Sequence, residues 1–215
     1  MSQNGDGVGA LVAPRRGRPP AASREDVLGA ATARYLRGVR VDVRAITAEL
    51  GLGRSTVYRW FGSREGLLAE VLIRAGEPLV DAARSEARGR GAAALLDTFD
   101  RLNRSLAAAT ALRRFLEHEK AGALRILTSS GGAVQPYFVG RITGLIEDEV
   151  RAGTYEPPVD PATLGYAIVR LAEAFLYNDA AFGIRGDVER LLEVEAALLG
   201  VGAEQRSGRS PTPVA

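Results

Sequence analysis

Apolar positions recur every three to four residues along the chain and nowhere alternate strictly, so the pattern predicts helices throughout and no strands. The segment "SREDVLGAATARYLRG" opens with Ser23 as an N-cap and Asp26 three residues on, a capping box in which Asp stands for the usual Glu or Gln. Val27, Ala30, Ala31 and Tyr35 form its inward stripe, and Gly38 stops it. Helices are then expected over 42–50 and 54–61, followed by a long one capped by Ser63 and kinked by Pro78. Further helices are expected over 92–108, 111–128, 134–152, 161–182 and 186–200. The breaks are "SSGG" (129–132), "GTYEPPVDP" (153–161) and "GIRG" (183–186). Asp160-Pro161 reads as an N-cap followed by proline at the first helical position. Residues 1–22 and the tail after Gly200 read as disordered. The fold class is all-α.

Within this series, "ITAELGLGRSTVYRWFGSREGLL" places two very short helices around a glycine. Gly51 lacks a Cβ and can adopt the left-handed conformation that ends a helix and reverses the chain. Ile46, Leu50, Leu52, Val57 and Phe61 point inward on this pattern, which leaves Arg54, Ser55, Tyr58 and Arg59 on one outward face with Thr56 beside them. That is the layout of a helix-turn-helix, whose second helix enters the major groove of DNA. Arginine's fork matches guanine edges, and hydroxyls suit phosphate oxygens. Arg64 stands at the start of the next helix, where free backbone amides and a guanidinium together make a phosphate clamp. Ahead of the helices, "PRRGRPP" offers Arg15, Arg16 and Arg18. Two readings of it stay open, an arm in a narrow minor groove or a solubilising tail that adds nonspecific attraction.

Residues 23 to about 72 are similar to the DNA-binding signature of the TetR family of bacterial repressors. Gly51, Thr56, Val57, Tyr58, Phe61, Ser63, Arg64, Glu65, Leu67 and Leu68 carry the resemblance. It implies that Thr56, Tyr58 and Arg64, assisted by Arg44, hold phosphates, and that Arg54, Ser55 and Arg59 discriminate bases. Two positions depart from the pattern: Thr47 replaces an alanine at the helix contact, with some loosening expected, and Trp60 replaces a histidine and is assigned to the core. The resemblance further implies a helix-turn-helix domain over 23–72 and an effector-binding and dimerisation domain over 73–200. The implied protein is a homodimer on a palindromic operator of double-stranded DNA, a repressor released by a small-molecule effector. The alternative is an effector-independent architectural or interaction module. "RRFLEHEKAGALRILTSSGGAVQPYF" also resembles TetR-type regulators associated with degradation of quorum signals, which implies a lactone with an acyl tail as effector.

Charge sharpens this division. The net charge of +2 conceals twelve arginines against seven acidic residues over 1–75, and sixteen basic against nineteen acidic residues beyond, so a polyanion partner belongs to the first third. The absence of cysteine excludes disulfides and thiolate metal sites. The opening has no signal-peptide pattern and no run nears the ~20 apolar residues of a membrane span, so a cytoplasmic address is expected. No nucleophile elbow, phosphate loop, dinucleotide glycine pattern or metal-spaced histidine pair occurs, so no enzyme activity, cofactor or metal is expected. Glu147-Asp148-Glu149 reads as a solvated helix face.

The late helices carry apolar residues on two faces each. Leu164, Ile168, Leu171 and Phe175 form one stripe of 161–182, and Ala167, Ala172, Leu176 and Ala180 a second. Val188, Leu191, Leu192, Val194, Leu198 and Leu199 exceed one face of 186–200, which predicts burial against a second copy, with an internal hairpin as the alternative. Polar residues amid apolar runs mark the effector pocket: Asn103, Arg104, His118, Arg125, Tyr137, Tyr166, Arg170 and Asn178. Of these, His118 sits among charged neighbours and by default is exposed, while Arg125 must be paired or reach solvent along its stem.

Overall fold

A computed structural model describes residues 22–178 and 187–202. Arg15, Arg16 and Arg18, the "GIRG" break and the residues from 203 onward lie outside the described residues. Every regular element among the described residues is a helix: α1 (Arg24–Leu36), α2 (Val43–Leu50), α3 (Arg54–Phe61), α4 (Arg64–Glu86), α5 (Gly91–Ala108), α6 (Thr110–Glu119), α7 (Ala121–Thr128), α8 (Val134–Arg151), α9 (Pro161–Ala172) and α10 (Val188–Leu198). A π-helical turn, Glu173–Asn178, continues α9. None of these helices is long and apolar enough to cross a membrane.

Local chemistry sets the early boundaries. Ser23 Oγ accepts from the Asp26 amide at 3.1 Å while the Ser23 amide donates to the Asp26 carboxylate at 2.7 Å, closing the capping box of α1. The Asp42 carboxylate accepts from the Arg44 amide at 2.7 Å to start α2, and Gly51, at φ 65°, ends it. Ser63 Oγ accepts from the Gly66 amide at 3.0 Å at the head of α4, which runs through Pro78 without a break.

The apolar residues gather into two clusters. One joins α1, α2, α3 and the first half of α4 to α6 and α7, around Val27, Ile46, Val57, Leu67 and Ala123. The other joins the second half of α4 to α5, α8, α9 and α10, around Leu95, Ile146, Leu164 and Leu199. Phe138 packs against both. Its ring comes so close to Gly76 on α4 that a Cβ there would lie 2.6 Å from Phe138 Cζ, so any side chain at 76 would have to displace the ring.

Three departures from the sequence pattern have physical causes. The stretch expected as one helix over 111–128 is two, because α6 packs on α1 whereas α7 packs on α4 and α8, and a straight rod cannot follow both. The chain turns at Lys120, whose φ of 47° is the only positive value of a non-glycine among the described residues. Glu149 is not on a solvated face: it follows Ile142, Leu145 and Ile146 on one buried stripe of α8. Its carboxylate accepts from Arg84 at 2.5 Å, the Gly91 amide at 2.7 Å and Thr154 Oγ1 at 2.6 Å. Burial pushes that carboxyl up, but these donors together hold it below the usual carboxylate range. Glu147 and Asp148 are exposed as expected. On α9 the inward face is Leu164, Gly165, Ile168 and Val169, with Leu171 and Phe175 only half-buried. Ala180 lies outside the described residues.

A lysine at positive φ stores roughly 1 kcal/mol or more of backbone strain. Lys120→Gly is expected to stabilise the fold by up to about 1 kcal/mol, and Lys120→Val to destabilise it. The midpoint of urea unfolding at constant slope checks both.

Candidate nucleic-acid interface and effector cavity

Helix α3 is held from behind. Val57 and Phe61 are buried in the first cluster, and the Arg24 guanidinium lies 4.6 Å from the centre of the Phe61 ring. The opposite side presents Arg54, Ser55 and Arg59, all exposed, with Tyr58 at 41% exposure and Thr56 half-buried beside them. Arg44 is exposed on α2. Among the described residues no ion pair engages Arg44, Arg54 or Arg59, whereas most other arginines have acidic partners, such as Arg34 with Glu49 and Arg141 with Glu77 and Asp81. Thr47 is buried, but its hydroxyl donates to the Arg44 carbonyl at 3.0 Å, so the threonine is accommodated without an orphaned polar group. Trp60 is half-buried against the first cluster.

Arg64 is differently placed from the other candidate DNA contacts. Its two terminal nitrogens reach the Glu119 carboxylate at 2.6 and 2.7 Å, and one also donates to the Val41 carbonyl at 3.0 Å. The hydrogen bond to Glu119 raises the arginine's pKa and lowers that of the glutamate, so the pair is ionised at neutral pH. It straps the start of α4 to the end of α6. A second strap joins Arg125 on α7 to Glu65 at 2.9 Å.

Between the two apolar clusters lies a cavity of about 210 Å³. Its wall is mostly apolar and includes Leu72, Ala75, Gly76 and Leu79 of α4 and Ala111 and Leu112 of α6. Asn103, Gln135, Glu173 and Glu195, all buried, interrupt it, and the tyrosines Tyr35 and Tyr177 line it too. Asn103 Nδ2 donates to both Glu195 oxygens, at 3.0 and 3.1 Å, and so links α5 to α10. Gln135 Nε2 is buried without any hydrogen-bond partner. Glu173 accepts from Arg170 at 2.8 Å, and burial raises its pKa despite that cation.

Of the pocket residues expected from the sequence, Asn103 is the one among the described side chains that lines the cavity. The others are placed elsewhere. His118 is exposed on α6, and Arg125 points outward to Glu65. Tyr137 stands 37% exposed beside Glu77, and Tyr166 is 45% exposed with Arg170 stacked on its ring. Arg170 turns to the Thr128 carbonyl and Glu173, and Arg104 to Asp100 and Glu189. Each long or aromatic side chain reaches solvent or an acidic partner from its place on an amphipathic helix and so stands outside the lining of this cavity. The side chain of Asn178 lies outside the described residues. Gln135, Glu173 and Glu195 were missed, although Glu195 had a legible signal: it sits four residues after Leu191 and four before Leu199, on the buried stripe of α10.

A short helix-turn-helix with an unpaired cationic face, carried on a larger helical body, defines a DNA-binding transcriptional regulator. The chain belongs to the TetR family: the family model described as "Bacterial regulatory proteins, tetR family" matches residues 30–71, and that described as "Tetracyclin repressor-like, C-terminal domain" matches residues 90–200. Among solved structures, the R. erythropolis transcriptional repressor QsdR from TetR family is 31% identical with a TM-score of 0.77, over 83% of this chain and 94% of that one. A putative TetR-family transcriptional regulator from Rhodococcus sp. is 21% identical, TM-score 0.45, over 83% of this chain and 97% of that one. A putative transcriptional regulator from Pseudomonas aeruginosa PAO1 is 17% identical, TM-score 0.42, over 86% and 93% respectively. No curated protein matches the sequence.

Burial raises the Glu195 carboxyl from 4.5 to about 8, with Asp100 adding to the rise and Asn103 opposing it. The folded state therefore favours the protonated acid, and that preference is complete below the unfolded value and lost as pH climbs through the folded one. Stability should fall by up to about 1.4 kcal/mol per pH unit between the two values. Glu195→Gln keeps an oxygen acceptor for Asn103 and cannot ionise, so its denaturant-unfolding profile is expected to be markedly flatter between about pH 5 and pH 8.

Proposed function

We propose that this chain is a dimeric repressor that binds a palindromic operator and leaves it when a small molecule fills the cavity. The observation that carries the DNA half is the set of arginines 44, 54 and 59, exposed and without acidic partners on one face of the helix-turn-helix. Arg54 and Arg59 read base edges, Ser55 assists, and Arg44, Thr56 and Tyr58 hold phosphates. Dimerisation is supported by the apolar surface left on the late helices: Tyr166 and Val194 are exposed, and Ala167, Leu171, Leu192 and Leu198 half-buried. A second copy covering that surface would set two recognition helices about a two-fold axis. QsdR is a transcriptional repressor, and the same sign of regulation is proposed here.

Release follows from which helices wall the cavity. Both α4 and α6 line it, and the same two helices are strapped by Arg64 and Glu119 beside the helix-turn-helix. A ligand that spreads α4 from α6 changes the setting of α3 relative to its dimer mate. An acyl lactone, the effector implied by resemblance to regulators of quorum-signal degradation, combines an apolar body with a compact head and suits such a wall. These properties favour an effector-gated repressor over an architectural module.

Two sets of measurements test the DNA assignment. Arg54→Ala or Arg59→Ala is expected to relax preference at one position in each half-site by about 1–3 kcal/mol, while Tyr58→Phe weakens all sequences alike. Binding to a library of half-site variants separates the two patterns. Arg64→Ala is expected to reduce the log–log salt slope of operator binding by about 0.9, if the guanidinium leaves Glu119 for a phosphate in the complex. An unchanged slope would leave Arg64 as a strap between helices alone.

A further inference from the structure

The cavity's polar groups are an unusual set, and they define the chemistry of what can enter. Among the described residues, no lysine, arginine or histidine lines it. Of its two carboxyls, Glu173 is already matched by Arg170, which reaches it from outside the wall. The other, Glu195, is completely buried, and its two oxygens accept from the Asn103 amide. Gln135 contributes a buried N–H with nothing to donate to. An unpartnered buried donor costs about 1–3 kcal/mol, so it is a place where a ligand acceptor gains more than it would from water.

We propose that the cavity selects small uncharged amphiphiles whose head is a hydrogen-bond acceptor, a carbonyl of ketone, ester, lactone or amide type, with Gln135 Nε2 as its donor and Glu195 as the second polar contact. This rests on the effector reading and assigns the polar contacts that would carry it. Among the described residues a carboxylate head would meet two acids and no cation in a mostly apolar wall, where an unpaired charge is strongly disfavoured. An ammonium head has no lone pair for Gln135 and would leave that donor orphaned. A purely apolar molecule would do the same. Because Glu195 is buried in apolar surroundings and stays protonated near neutrality, its hydroxyl supplies a donor to the same kind of acceptor. The modest volume, below the ~300–1,000 Å³ of most ligand pockets, limits the body to a short chain or small ring.

A matched series of octane derivatives tests this on the full chain. 2-Octanone, octanoate, octylammonium and octane share an apolar body and differ in the head. Isothermal titration should show 2-octanone binding at least tenfold more tightly than octanoate or octylammonium. Gln135→Leu, which preserves bulk, should reduce 2-octanone affinity roughly tenfold while leaving octane unaffected. The proposal is overturned if either ion binds more tightly than the ketone, if none of the four binds, or if Gln135→Leu leaves ketone affinity unchanged in a variant with the native melting temperature. A parallel assay of operator release separates this from the parent reading. Ketone binding without release retains the ligand class and removes the effector role. Release by octylammonium alone retains the effector role and removes the ligand class.

Discussion

One continuous helix of twenty-three residues, α4, contributes to both apolar clusters and ties the core behind α3 to the core of the body. Its first half closes the small core behind α3, while Val80 in its second half enters the core of the body. A helix is stiff on this length scale, so a displacement at one end is carried to the other rather than absorbed. The cavity lies against the middle of that rod, at Ala75, Gly76 and Leu79. Gly76 lets the Phe138 ring approach the backbone itself, so a change in the position of that ring acts on α4 without an intervening side chain.

Charge is distributed to complement this arrangement. Arginine supplies nearly all the cations of the chain, and in the body those cations meet carboxylates on the same or neighbouring helices, as at Arg84 with Glu149 and Arg104 with Asp100. Exposed pairs of this kind contribute little each, typically below about 1 kcal/mol. Glu149 is different because it is buried and satisfied by three donors, and removing one side would leave a charge stranded in the interior. The face of α3 forgoes such internal partners, leaving its cations to whatever polyanion approaches.

The sequence made the all-helical architecture and the first four boundaries legible because caps, glycine turns and apolar stripes are local signals. Ser23 with Asp26, Gly51 and Ser63 each act within four residues of chain. Helical periodicity also marked Val57 and Phe61 as inward and thereby left Arg54, Ser55 and Arg59 on the outward face. The break at Lys120 left no such trace, because it arises from two packing demands on either side rather than from a breaker residue. The cavity was the least legible part. Large polar side chains amid apolar runs drew attention to Arg125, Tyr137 and Arg170, yet their length lets them leave the interior. The short or uncharged groups that remain inside, Asn103, Gln135 and a protonated Glu195, look like ordinary helix residues until the neighbouring helices are in place.

The way α3 is held has a consequence for how such a protein can change. The helix has only eight residues and no side-chain N-cap, too short to persist alone, since isolated helices below about 12–15 residues are marginal in water. Its order is lent by Val57 and Phe61 on one side, and positions 54, 55, 58 and 59 on the other add little to the stability of the fold. Surface substitutions of that kind usually fall within about 0.5 kcal/mol. The side chains this face presents can therefore change while the scaffold stays folded, without passing through unstable intermediates.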